Sequence, residues 1–403
     1  MGTKRKEREV AYIAAEHQAN LVRLAAAWAE ELRGDMDLTN AELIGNLSAL
    51  LEDYQIADYS VAAQKQYLAM NAEVLKLRAQ SFKAAADYME RQCQKLAENE
   101  AKWAAAIAKR SGASGMKNIR VSTIVKYAAV EDGQTISESI EAAAREDARR
   151  ISEVCREGVR KSKPLDQIVK EIRGTKESDY TDGVFEATRS EAETIARAGC
   201  MGIADEAKMQ FYLQNTDVIR AIMHVATLSG NTCLVCGNLD GHIWKTPEEL
   251  AMIPNLPIHP NCRCVHLPVT EMHEINRSKR PAEEENFWKE AERKYNEEHP
   301  GKRFSDLARS TKLKYYYKAQ KDYEERTGKP AFEEVPQNMS FADWLKTKDA
   351  KYIEQYLGKT RYALYTKGEL PLNRFINPAT NVQFTISELK ELDIEAFKRA
   401  GLV

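Results

Sequence analysis

The stretch Cys233-Leu234-Val235-Cys236, followed after 22 residues by His259-Pro260-Asn261-Cys262-Arg263-Cys264, decides how the middle of this 403-residue chain is read. A Cys-x-x-Cys knuckle with a second cluster across a short loop offers the soft, tetrahedral donor set that zinc takes. Five candidate ligands, Cys233, Cys236, His259, Cys262 and Cys264, compete for four places, so one of His259, Cys262 and Cys264 is expected to stand aside. Cysteines one residue apart point to opposite sides of an extended chain, which leaves one of Cys262 and Cys264 to face a metal. The chain has seven cysteines, an odd number, and Cys93, Cys155 and Cys200 sit alone in helical patterns. That distribution fits a metal site in a reducing cell better than a disulfide framework. Reduced buried thiols and a disulfide are the alternatives. The loop between the two clusters is small and poor in apolar residues, so metal binding is expected to supply folding energy that burial alone would not. Thiolate-rich coordination leaves no open position for water, and no Glu stands in a metalloprotease or deaminase spacing. A structural rather than catalytic zinc follows.

Working outward, residues 218–226 are β-branched and apolar and lead into a stretch rich in Gly, Asn, Asp and Pro that runs to Pro268. This is the one clearly non-helical region, and Asp240-Gly241 reads as a turn within it. Upstream, Ile136, Ile140, Ala144, Ala148, Ile151, Cys155 and Val159 share a helical face. Ser162 and Pro164 start another helix that Gly174 ends, and a third spans about 184–214. Further back, Ser111-Gly112-Ala113-Ser114-Gly115 breaks a long helix, so residues 111–134 read as a linker. In that long helix Leu68, Leu75, Phe82, Met89, Leu96 and Trp103 recur every seven residues, with Ala72, Ala79, Ala86, Cys93 and Ile107 between them. A hairpin packed on itself is preferred over an intermolecular coiled coil. Ser60 is placed as its N-cap, and Thr39 with Glu42 as a capping box for a helix starting before Leu43.

The fold expected is therefore mostly α, with a small α+β zinc-clipped module in the middle. Residues 1–110 form a long helical region, 135–270 the module, 271–335 a charged helical connector and 336–403 a small helical domain. Charged residues make up 30% of the chain and aromatics 8%, and the formal net charge is -2, so no global field draws nucleic acid to it. Residues 302–329 have a local excess of positive charge, and Lys312, Lys314 and Lys318 interleave with Tyr315, Tyr316 and Tyr317. These lysines are the best candidates for DNA contact. An amphipathic helix with packed tyrosines and solvated lysines is the preferred reading of the same pattern. No stretch of about 18 apolar residues and no secretory h-region is present, so neither membrane insertion nor secretion is expected.

Thr232-Cys233-x-x-Cys236-Gly237-x-Leu239-Asp240-Gly241, then Pro257-x-His259-Pro260-Asn261-Cys262-Arg263-Cys264, resembles the core of the Mu-F-like phage head morphogenesis domain. Arg189-Ser190-Glu191 resembles that family's Arg-Thr-Glu helix motif, and the likeness covers roughly 135–270. The tail motifs Ser340-Phe341-x-x-Trp344-Leu345, Leu357-Gly358-x-x-Arg361, Gly368 and Thr385-x-x-Glu388-Leu389 resemble the C-terminal part of phage minor capsid proteins. The chain departs from the pattern where His224 and Ser229 replace a Trp and an Asp.

The resemblance implies a minor head protein of a tailed phage or prophage, lying inside the procapsid or virion after assembly in the host cytoplasm. Its implied main partner is the portal protein, with scaffold, major capsid protein and DNA as secondary partners and with a role in packaging or delivery. It implies no small-molecule substrate and no enzymatic activity. The rival readings are a zinc-containing enzyme, nuclease or toxin-like, and a DNA-binding zinc module. Arg189 and Glu191 are expected to form a structural pair joining helix to sheet. His224, His242, His266 and His273 form no recognised triad in their spacing.

Overall fold

The computed structural model describes residues 10–53, 61–128, 133–178, 180–259, 262–270, 281–307, 309–329, 331–334, 339–378 and 380–403. Two long helices come first, α1 (Val10–Asp53) and α2 (Val61–Arg110). After the break at Ser111 and the short α3 (Ile124–Tyr127) come α4 (Ile136–Arg160), α5 (Leu165–Arg173) and α6 (Val184–Gln214). Two of these last three, α4 and α5, have a local reason to start or stop where they do. Thr135 and Glu138 close a capping box on α4, and Pro164 caps α5. Gly174, at φ 90°, ends α5 in a conformation open to a residue without Cβ.

The middle is a three-stranded antiparallel sheet in the order β2-β1-β3, made of β1 (Ile219–Val225), β2 (Ile243–Trp244) and β3 (Val265–Thr270). Between β1 and β2 lies the one-and-a-half-turn helix α7 (Leu234–Leu239), and α8 (Pro247–Leu250) follows β2. Six of the seven β1 side chains are buried, so the strand does not alternate. Both its faces are covered. Met223 and Val225 pack with Ala14 of α1 and Ile107 of α2, while Ile219 and Ile222 pack with Phe211 and Tyr212 of α6. The long N-terminal helices thus complete the core of the sheet. They touch each other, but α1 lies chiefly along α6 and α2 along α4 and α6. Close approach at the bundle centre rests on Gly199 of α6, where a Cβ would come within 3.2 Å of Ile136 and of Met89.

Two sequence expectations for this bundle are corrected. Thr39 and Glu42 do not start a helix: Thr39 lies inside α1, and its hydroxyl donates to the Met36 carbonyl at 3.0 Å. Leu32, Met36, Asn40, Leu43 and Leu47 form one uninterrupted buried stripe through this point, and its burial overrides the cap signal. The seven-residue stripe of α2 holds at Phe82, Met89 and Leu96, but Leu68 is 55% exposed and Met70 and Val74 are buried instead. A straight helix drifts about 20° per heptad against a strict seven-residue repeat, so the expected seam rotates off the core. The cap assigned to Ser60 lies outside the described residues.

Beyond the sheet, β4 (Pro281–Glu283) pairs with β5 (Phe332–Glu334) and frames the hairpin of α9 (Phe287–Glu298) and α10 (Arg309–Thr327). A compact C-terminal unit follows, with α11 (Phe341–Lys346), α12 (Ala350–Leu357), α13 (Lys359–Thr366), α14 (Ile386–Leu392) and α15 (Ile394–Arg399). The tail motifs have structural roles here: Ser340 caps α11, Gly358 ends α12, and Thr385 with Glu388 boxes the start of α14. Leu228 and Leu234, from the Cys loop, are buried in the core of this unit beside Phe341 and Trp344. The loop is therefore better packed than its own composition suggests, because the apolar partners come from residues a hundred positions downstream.

Candidate metal centre

The Cys loop leaves β1, turns, and enters α7, where Cys233 is the N-cap and its sulfur accepts the Cys236 backbone N–H at 3.3 Å. The second cluster lies just before β3, where the chain is not yet extended. The structure brings all five candidates together. Cys233, Cys236 and His259 form one group whose donor atoms lie within 4.8 Å of one another, and Cys236, Cys262 and Cys264 form another. Cys236 is common to both. Its sulfur lies 3.3 Å from His259 Nε2 and 3.8 Å from the Cys262 sulfur. Both Cys262 and Cys264 sulfurs reach Cys236, because the backbone at 262–264 is not extended.

The donor chemistry fits a tetrahedral soft metal. With zinc–sulfur bonds of about 2.3 Å, the edge between two sulfurs of a tetrahedron is about 3.8 Å, and the edge between sulfur and nitrogen about 3.6 Å. The observed 3.8 and 3.3 Å lie close to these edges. The electrostatics agree in direction. Hydrogen bonding within the group holds the Cys233 thiol down to about 4 and pushes His259 up to about 10, and Cys262 is held well below the usual thiol range. Cys236 is pushed up by its hydrogen-bonding contacts with Cys233, Cys262 and Cys264, and Cys264, against the opposing effect of Cys236, is pushed up by Cys262 and by burial.

Two elements staple this loop from outside. Arg263 donates to the Ser229 hydroxyl, and Thr227 donates to the Arg263 carbonyl at 3.2 Å. Asp240 accepts the backbone N–H of Ala226 at 3.0 Å through one oxygen and that of Phe341 at 2.7 Å through the other. The Asp240-Gly241 turn, with Gly241 at φ 81°, is thus also the joint between the sheet, the Cys loop and the C-terminal unit. The spacing of the sequence pointed to the turn alone.

Behind the sheet lies a buried constellation that sequence spacing did not reveal. His224 and His266 sit opposite each other on β1 and β3, with His224 Nδ1 at 3.3 Å from His266 Nε2. His266 Nδ1 lies 3.2 Å from both oxygens of Asp205 on α6. Both histidines are fully buried. Strand pairing across 42 residues leaves no local signal; the one hint is that Asp205 directly follows the apolar run 198–204 of α6. Burial, with His266 beside it, pushes the His224 imidazole down to about 3, whereas in the unfolded chain it titrates near about 6.5. The unfolded state binds more protons between these values, so the contribution of neutral His224 is complete above about pH 6.5 and is lost as the pH falls toward 3. The urea midpoint of the wild-type chain is expected to fall across this window, and that of His224→Gln to fall less.

Residues 149–267 match the model of the family described as Phage Mu protein F like protein. Neither a curated protein nor a solved structure matches the chain. The Mu F-like region runs from the middle of α4 to the third residue of β3, inside the 135–270 span of the sequence resemblance, and it supports a phage head-related function. It includes every member of the Cys and His group. It ends before the α9–α10 hairpin and the C-terminal unit, so the tail motifs rest on sequence resemblance alone.

Within the Mu F-like region, Arg189 and Glu191 do not pair with each other and do not reach the sheet. Arg189 Nε contacts Asp37 of α1 at 2.5 Å and its Nη1 contacts Glu186 at 3.3 Å, while Glu191 accepts from Arg150 of α4 at 2.6 Å. The pair expected to join helix to sheet instead ties α6 to two other helices, since residues two apart face different neighbours. His242 is exposed beside Trp244, and His273 lies outside the described residues. In the connector, Tyr316 and Tyr323 are buried against Phe287 of α9, as expected of the packed face. Lys318 is paired with Glu298 at 2.8 Å, Lys312 donates to the Ser305 carbonyl at 2.6 Å, and Lys314 is exposed. Among the described residues, no helix is long and apolar enough to cross a membrane.

Proposed function

We propose that this chain is a minor head protein of a tailed phage, a structural component of head morphogenesis whose main partner is the portal protein. The observation that carries the reading is the match of residues 149–267 to the Mu F-like family. Scaffold, major capsid protein and DNA are its secondary partners, and it resides in the procapsid or virion interior. The enzyme reading gains no support from the histidines, because His224 and His266 are closed off from solvent. Among the described residues, Lys312 and Lys318 already make protein contacts, which favours packing over DNA binding at two of the three candidate lysines.

The same proposal gives the Mu F-like region a structural zinc. Cys233, Cys236, His259 and Cys262 are the ligands it would use: His259 interacts with the sulfurs of Cys233, Cys236 and Cys262, and the Cys236 N–H bond to Cys233 is the geometry of a knuckle. Cys264, which touches Cys236 and Cys262, is the cysteine left over. Filled by four protein donors, the metal would supply folding energy and no chemistry.

Co-expression with the portal protein of the same genome, followed by size-exclusion chromatography and metal analysis, tests both parts. A stable complex is expected, with about one zinc per chain. A chain that elutes apart from assembled portal rings overturns the portal role, and a metal-free chain overturns the zinc reading.

A further inference from the structure

Four donors complete a tetrahedral site, and this loop assembles five. The fifth, Cys264, is buried in a small core with Ala226, Leu256, Cys236 and Cys262. A buried cysteine can serve as no more than a small apolar residue. The sulfur of Cys264, however, lies within 4.8 Å of the sulfurs of both Cys236 and Cys262. The five donors also sit at two depths. Cys233 and His259 are half-buried, and with Cys236 they form an outer group of three. Cys262 and Cys264 are buried, and with the same Cys236 they form an inner group of three. Cys236 is common to both, and its contacts run outward to His259 Nε2 at 3.3 Å and inward to the Cys262 sulfur at 3.8 Å.

Two triads that share a thiolate are a donor set for a pair of soft monovalent ions. Thiolates select Cu(I), and imidazole also suits copper. Cu(I) has a filled d shell and accepts three ligands, and a thiolate has lone pairs enough to bridge two such ions. With metal–sulfur bonds of about 2.3 Å, as for zinc, the donors around a three-coordinate ion stand about 4 Å apart, within the spread of both groups. Two zinc ions could not share the set in this way, because each requires four ligands and would find three. We propose that the Cys loop is also a binuclear Cu(I) site, with one ion held by Cys233, Cys236 and His259, the second by Cys236, Cys262 and Cys264, and the Cys236 thiolate bridging them. Cys264, the cysteine left over by the zinc reading, is a ligand here. The proposal uses the donors of that reading and not its metal, so either stands without the other.

The test titrates the full-length chain, Cys264→Ser and Cys155→Ala with Cu(I) under anaerobic, reducing conditions. Copper is supplied as its acetonitrile complex in competition with the chromophoric chelator bicinchoninate, and the loaded forms are compared by X-ray absorption. Cys155, a buried thiol of the helical bundle, is the control for cysteines outside the loop. Wild type and Cys155→Ala are expected to hold about two Cu(I) per chain with a short copper–copper distance, and Cys264→Ser to hold about one and to lose that distance. A single Cu(I) per wild-type chain, or two without copper–copper scattering, overturns the bridged pair. A Cys264→Ser chain that still holds two overturns it as well. Should Cys264→Ser fail to fold, the wild-type stoichiometry and copper–copper distance decide alone. Zinc content is measured separately on the same preparations: two bridged Cu(I) ions with no zinc would uphold the pair and remove the zinc reading, and zinc with a single Cu(I) would do the reverse.

Discussion

Cys236→Ser is expected to abolish zinc binding and to loosen the Cys loop and the C-terminal unit together. Cys236 is the one sulfur shared by both groups of candidate ligands, at the centre of contacts to His259 and Cys262. A serine hydroxyl is neither soft nor ionised at neutral pH, so the tetrahedron loses its central donor. Loss of a ligand that binds only the folded state removes about 4 kcal/mol when free zinc exceeds its dissociation constant a thousandfold. For a unit of this size that corresponds to a fall of about 10 °C in Tm. Cys264→Ser, by contrast, is expected to keep about one zinc per chain. Metal analysis and calorimetry of the two variants check the ligand set directly, and the assignment fails if Cys264→Ser is the one that empties the site.

Asp147→Ala is expected to destabilise the helical bundle by about 3–5 kcal/mol, the usual result of leaving one buried charge without its partner. Arg78 of α2 and Asp147 of α4 are fully buried, with Nε 2.5 Å from Oδ2. Arg78 also donates to Asn40 of α1 at 2.5 Å, and Thr188 of α6 donates to Asp147. One ion pair and two polar neighbours therefore pin four helices in register. Burial outweighs pairing at both ends: it pushes the Arg78 guanidinium down and the Asp147 carboxyl up. A desolvated pair of this kind adds little over an apolar replacement of similar volume, so Arg78→Met with Asp147→Leu is expected to cost much less than Asp147→Ala alone. Chemical denaturation of the single and double variants provides the measurement; equal costs would show that the pair itself, and not the orphaned charge, sets the penalty.

Much of the helical part could be read from sequence because its signals are local. Thr135 with Glu138, Pro164, Gly174 and the face from Ile136 to Cys155 belong to or flank the helices they control, and α4 and α5 appear where those residues place them. The Cys and His group was visible for a similar reason, since Cys-x-x-Cys and the 259–264 segment are each compact. What escaped were contacts between distant residues. Asp205, His224 and His266 meet only through strand pairing and helix packing. Asp240 acquires its second partner 101 residues downstream. The false cap at Thr39 and the drift of the α2 seam share one cause: burial against α4 and α6 decides which residues face inward, and a window confined to α1 or α2 contains neither neighbour.

The cover that α1 provides for the sheet carries a cost in time. Cys200 lies against the Leu21 carbonyl, 179 residues away in the chain. At about 5–20 residues per second of synthesis, α1 emerges roughly 10–35 s before the part of α6 that buries its apolar stripe. During that interval Leu21, Trp28, Leu32 and Met36, all buried in the finished bundle, lack the helix along which α1 chiefly lies. A nascent chain in this condition is exposed to chaperones and to neighbouring copies on the same message, so its yield should respond to the speed of translation more strongly than that of a protein built from local contacts.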